Sequence, residues 1–161
     1  MTGTVETIVQ IKSPDWQTAL PNAEALCQKA AAAVWKAAHS SDKNFEATVV
    51  LSDDAFVQYL NRDYRHQDKP TNVLSFPTSE KERSILEDVP SLGDIVIAFE
   101  TTNDEAQGTP ATSLGDHLSH LVVHGCLHVL GHDHEENAAA IEMESLETKI
   151  LASLGIDDPY A

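Results

Sequence analysis

His124-Gly125-Cys126-Leu127-His128-Val129-Leu130-Gly131-His132-Asp133-His134 carries three histidines at H-x3-H-x5-H spacing, His124, His128 and His134, with Gly131 between the last two. Histidines four apart share one face of a helix, about 6 Å apart along its axis, so both imidazoles can reach one ion. Gly131 marks where the chain leaves that helix, because glycine readily takes the left-handed conformation of a helix C-terminus. Asp133 and His134 then fold back toward the ion. Three neutral imidazoles leave a fourth tetrahedral position for water, as in a catalytic zinc site. The spacing therefore predicts one Zn²⁺ per chain on His124, His128 and His134; imidazole also suits Ni²⁺.

Six of the eight histidines fall between His117 and His134, a clustering that scattered core or surface histidines do not explain. His120 shares the face of His124 and His128, but would lie about 12 Å along the axis from His128. Bonds of about 2.1 Å cannot converge on one ion from that span. His120 thus reads as a packing or supporting residue, His117 as helix surface, and His132 as pointing away from His134. Asp133 is the nearest carboxylate, suited to orient His128 or His134 from behind, or else to act as a base. Cys126 lies about 200° round the helix from His124 and is expected on the buried side. The spacing is similar to that of the metzincin peptidases, down to the glycine. Where those enzymes carry the glutamate that deprotonates water, this chain has Gly125. Glycine neither takes nor gives a proton, which argues against peptide hydrolysis.

Outward from this stretch, Ser113 and Asp116 form a capping-box signature for the histidine helix, whose apolar face includes Leu118, Leu121, Val122 and Leu127. A last helix over 136–154 would turn Met143, Leu146, Ile150 and Leu154 inward, with Glu135 and Glu136 as solvated acids at its start. Upstream, apolar alternation predicts a strand over 4–11, then a loop bracketed by Pro14 and Pro21. A helix follows over 22–39, capped by Asn22, its alanines suiting close packing on a sheet. Further strands are expected at 46–51, 73–76 and 94–99, a helix from Ser52-Asp53-Asp54 to about Arg62, and a short helix over 100–107. Residues 79–91 are charged and irregular. The sum is a single α+β domain spanning 1–161: about four strands in a mixed sheet, packed with five or six helices, the zincin-like metal helix at its centre.

Composition sets limits on partners. The 161 residues, 42% hydrophobic, suit one core. No apolar stretch reaches the eighteen or more residues of a membrane helix. Met1-Thr2-Gly3-Thr4-Val5-Glu6 has no signal-peptide character, and Cys27 and Cys126 are the only cysteines, so a cytoplasmic protein with reduced thiols is expected. A net charge of −16 runs against a nucleic-acid partner, whose affinity comes largely from phosphate neutralisation. The basic residues are unevenly spread, however. Five of the ten, Arg62, Arg65, Lys69, Lys81 and Arg83, lie between positions 62 and 83. Beyond Arg83 only Lys149 is basic, against fifteen acidic residues. Arg65 and Lys69 are the candidates for a phosphate; Lys81 and Arg83 read as solvated.

Three motifs then occur in order: Tyr64-Arg65-His66-Gln67-Asp68-Lys69-Pro70-Thr71-Asn72-Val73-Leu74-Ser75-Phe76-Pro77, Leu92-Gly93-Asp94-Ile95-Val96-Ile97, and the histidine stretch. Together they resemble the bacterial YbeY family, over a region from about Asn61 to Leu154. Asn72 stands where many members have Asp. The resemblance implies a metal-dependent, single-strand-specific endoribonuclease acting in ribosomal RNA maturation and ribosome quality control. It also implies that the family's functional arginine is Arg65, placed to grip phosphate oxygens; a structural pairing of Arg65 with Asp68 is the competing assignment. A tri-histidine zinc would either activate water for attack or stabilise charge while the 2′-OH attacks, and the residues do not separate the two. Residues 71–77 could present a strand edge lining the cleft. Expected partners are single-stranded RNA, ribosomal RNA or a pre-ribosomal particle, and a basic ribosomal protein suited to the acidic surface, with no membrane. The alternatives are a ribosome-biogenesis adaptor whose metal is mainly structural, and a zinc metallopeptidase.

Overall fold

The computed structural model describes residues 3–78, 89–108, 111–132 and 136–160. Alternation sets the sheet. In β1 (Val5–Ile11) and β2 (Phe45–Ser52) successive side chains turn to opposite faces, and Ala47, Val49 and Leu51 of β2 are buried on one of them. The other two strands are β3 (Val73–Pro77) and β4 (Ser91–Ala98). The order is β1-β2-β4-β3, with β1, β2 and β4 parallel and β3 antiparallel to β4. The mixed sheet therefore has β3 at one edge among the described strands.

Helices cover both faces. α2 (Ala23–Ala38) and α5 (Leu114–Val129) share a core with Ala47, Val49, Leu51, Ile95 and Ile97. Ala23, Ala30 and Ala31 are buried in it, and side chains that small let α2 come close. α6 (Asn137–Ser153) packs over α5 and α2, adding Met143, Ile150 and Leu151. On the opposite face α3 (Asp54–Arg65) sets Val57 against Leu74, Val96 and Ala98. Ser113 Oγ accepts the Asp116 N–H at 3.0 Å, and Asp53 accepts the Phe56 N–H at 2.9 Å, caps that contribute about 1 kcal/mol each. Among the described residues no helix is long and apolar enough to cross a membrane.

The expected elements recur, with differences at their ends. The segment expected as a loop after Pro14 contains a short helix, α1 (Pro14–Ala19). Proline suits its first turn, and Trp16 anchors it, fully buried, with the indole N–H donating to the Ser52 carbonyl at 2.9 Å. Six residues are too few to show a helical period. α3 runs on to Arg65, the short helix α4 spans Phe99–Ala106, and Asn22 caps α2 without a side-chain hydrogen bond. Most of the irregular stretch expected over 79–91 lies outside the described residues.

The position of α5 is set by Gly125. A Cβ there would lie 2.6 Å from Ile95 Cγ2 and 3.2 Å from Ser75 Oγ. In an open helix, Gly→Ala would gain about 1 kcal/mol from propensity. At Gly125 the methyl group must push α5 off the sheet, and overpacking of this kind costs about 1–3 kcal/mol. Gly125→Ala is therefore expected to lower Tm by several degrees in a thermal melt. An unchanged or raised Tm would mean that α5 is not seated on the sheet through this contact.

Candidate functional site

α5 delivers the two helical histidines as their spacing requires. His124 Nε2 and His128 Nε2 face each other at 3.1 Å. Two nitrogens bound tetrahedrally to one ion at about 2.1 Å stand roughly 3.4 Å apart, so the pair is spaced as two ligands of a shared cation would be. The other nitrogen of His124 is already committed. Its Nδ1 lies 2.7 Å from Glu147 Oε1, and a proton donated there leaves the Nε2 lone pair for a ligand.

The helix then ends as Gly131 suggested. Gly131 has φ +99; its N–H donates to the His128 carbonyl at 2.9 Å, and the His132 N–H to the Leu127 carbonyl at 3.0 Å. This pair of hydrogen bonds is the Schellman arrangement. His134 and Asp133 lie outside the described residues, as do Glu135, Lys81 and Arg83. Among the described residues no group of three His, Cys, Asp or Glu side chains converges on a metal-sized space. The two described imidazoles fit a metal; the third candidate is not described.

Glu147, from α6, is the carboxylate that sequence reasoning missed. It is fully buried and accepts from three directions: His124 Nδ1 on Oε1, with His120 Nε2 at 3.0 Å and Tyr160 Oη at 2.6 Å on Oε2. Burial pushes its pKa up, yet the hydrogen bonds from His120, His124 and Tyr160 outweigh burial and hold it at about 2. A signal was available, since Glu147 stands four residues after Met143 and three before Ile150, on the apolar stripe of α6. His120 lies where a supporting residue was expected. His117 does not sit free on the surface: its Nε2 lies 2.8 Å from Glu105 Oε1.

Arg65 closes the other wall. At the end of α3 the chain turns through His66 in the left-handed conformation, φ 58. Buried Asn61 pins the following loop by donating to the Lys69 carbonyl at 2.9 Å. Arg65 Nη2 donates to the Ser75 carbonyl on β3 at 2.7 Å, and the guanidinium lies 5.7 Å from the centroid of the Phe76 ring. Arg65 does not pair with Asp68, which accepts from Gln58 instead. A guanidinium has five N–H donors, so one bond to Ser75 fixes its place and leaves others available. Arg65, Thr71, Asn72, Ser75, His124, His128 and His132 line one open cleft of about 580 Å³. Asn72 donates to Glu105 at 2.9 Å, a contact in which an aspartate would set two carboxylates together.

The sequence profile described as Endoribonuclease YbeY matches residues 9–155 of the chain. A relative named Endoribonuclease YbeY from Paramagnetospirillum magneticum is 51% identical over 162 residues, covering 99% of this chain and 98% of the relative. One of the same name from Rhodopseudomonas palustris is 49% identical, covering 96% and 92%. A solution structure of a Thermotoga maritima protein superposes with a TM-score of 0.58 at 25% identity, covering 93% of this chain and 88% of that one.

Thiols stand apart from the cleft. Burial raises the Cys27 pKa to about 12 and pushes that of Cys126 well above the ordinary thiol range, and only the thiolate is reactive or a metal ligand. Iodoacetamide at pH 8 is expected to leave both cysteines unlabelled in the folded protein and to label both in denaturant. Rapid native labelling of Cys126 would place its sulfur on an accessible face and reopen it as a ligand.

Proposed function

The chain belongs to the Endoribonuclease YbeY family, and on that premise we propose that it cleaves single-stranded RNA, ribosomal RNA above all, in the cleft between α5 and β3. Family membership makes RNA the substrate class. The observation that carries the finer reading is the meeting of Arg65 with His124 and His128 around one cleft. The residues that would hold a zinc ion are His124, His128 and His134. Bound there, zinc supplies a Lewis acid for a phosphoryl oxygen and brings the pKa of water to about 7.

The chain's own groups do the rest. Arg65, steadied on the Ser75 carbonyl and the Phe76 ring, presents its remaining donors to the oxygens of a scissile phosphate, where charge grows in the transition state. Glu147 holds the His124 ring with its Nε2 toward the cleft. Residues 71–75 and Pro77 line the cleft, and β3 pairs with β4 alone among the described strands, which suits an extended single strand better than a duplex. Position 125 offers no carboxylate base, and a side chain there would run into Ile95 rather than the cleft. That speaks against the peptidase alternative.

With a net charge of −16, affinity for free RNA is weak and falls steeply with salt. A pre-ribosomal particle or a basic ribosomal protein would then bring RNA to the cleft, in a cytoplasmic setting.

Cleavage of a labelled single-stranded RNA tests this reading. Chelation is expected to abolish cleavage while the circular dichroism spectrum persists, and Zn²⁺ to restore it. Arg65→Ala is expected to lower kcat about 10²–10³-fold, the cost of losing one donor to transition-state charge, and Arg65→Lys to recover only part. Equal cleavage by wild type, Arg65→Ala and His128→Ala would identify a contaminating nuclease and overturn the proposal. Unfolding on chelation would favour the adaptor with a structural metal.

A further inference from the structure

After α6 the chain doubles back on itself. Gly155, at φ +78, makes the reversal; its N–H donates to the Ala152 carbonyl at 3.0 Å, and the Ile156 N–H to the Leu151 carbonyl at 2.9 Å. Ile156 packs against the main core. Asp158 Oδ1 then accepts from the Tyr160 N–H at 2.8 Å and from Thr148 Oγ1 at 3.2 Å. That second bond fastens the returning segment to α6 one residue from Glu147. The phenol of Tyr160 arrives 2.6 Å from Glu147 Oε2, its ring edge-on to His120 at 5.8 Å between centroids.

The terminal torsion of a glutamate is broad and roughly two-fold. Burial alone does not fix the plane of the Glu147 carboxylate. Two donors on Oε2, Tyr160 Oη and His120 Nε2, do fix it, and they leave Oε1 directed at His124 Nδ1. We propose that the segment 155–160 is a strap whose Tyr160 is a positioning residue: by holding Glu147 Oε2, it keeps Oε1 on His124 Nδ1 and the His124 Nε2 lone pair toward His128. The effect runs from strap to carboxylate to imidazole, and Tyr160 is not among the residues that line the cleft. The inference rests on His124 being a ligand, as proposed above, but the choice of His124 tautomer can be read without any metal.

Tyr160→Phe isolates the hydroxyl, because the ring that meets His120 is retained. Two readouts on the full chain test the role. In metal-free protein, ¹⁵N NMR of the imidazoles is expected to show His124 protonated at Nδ1 in the wild type and a mixture of tautomers in Tyr160→Phe. In competition with a chelator, Tyr160→Phe is expected to hold Zn²⁺ about tenfold more weakly, the low end of what outer partners of ligands contribute, with Tm lowered by a few degrees for the lost hydrogen bond to a buried carboxylate. Asp158→Asn, which loosens the strap and keeps the phenol, should shift both readouts in the same direction by less. An unchanged tautomer together with unchanged Zn²⁺ affinity in Tyr160→Phe would overturn the proposal. A wild type that bound no Zn²⁺ would instead defeat the ligand assignment, and the tautomer comparison would still decide the role of the strap.

Discussion

The site depends on how closely α5 lies on the sheet. Glycine at 125 leaves no side chain between the helix and Ile95 or Ser75, so the flank bearing His124 and His128 comes down beside β3. Because β3 is an edge strand among the described strands, α3 on the far face can reach round it. Arg65 does so from the last residue of α3, bonding to the Ser75 carbonyl. Cation and imidazoles thus come from opposite faces of the sheet and meet across its edge. A bulkier residue at 125 would separate them.

Carboxylates on neighbouring helices hold His117, His120 and His124 of α5. Glu105 of α4 takes His117 and also binds Asn72 at the start of β3. Glu147 of α6 takes His120 and His124. A buried carboxylate costs several kcal/mol unless its oxygens are satisfied, and Glu147 meets three donors. The same contact fixes which nitrogen of the His124 ring faces the cleft. The acidic balance of the chain therefore has a local use at the site, although it works against holding a polyanion.

Much of this was legible in the sequence because helical period and spacing are local. H-x3-H places two imidazoles on one face, Gly131 ends the helix in the left-handed region, and Ser113 caps its start, as the structure has them. The strand over 4–11 followed from its alternation, and the close packing of α2 on the sheet from its alanines. What failed was long-range. Glu147 lies on the apolar stripe of α6, which marks it as inward-facing, but no local spacing names the three partners it meets there. Tyr160 follows a chain reversal that no pattern announces. Gly125 was read for the chemistry it lacks, whereas its structural consequence is the close approach to Ile95. Asp133, expected to orient an imidazole, lies outside the described residues, and the carboxylate found on His124 comes from 23 residues further along the chain.

X-ray absorption at the zinc K-edge of the reconstituted protein tests the central claim most directly. A centre built on His124, His128 and His134 gives a first shell of nitrogen and oxygen at about 2.0–2.1 Å, with the scattering pattern of three imidazoles and none from sulfur near about 2.3 Å. A sulfur shell, or fewer than two imidazoles, would contradict a metal centre assembled on the face of α5 that its close contact with the sheet brings to the cleft.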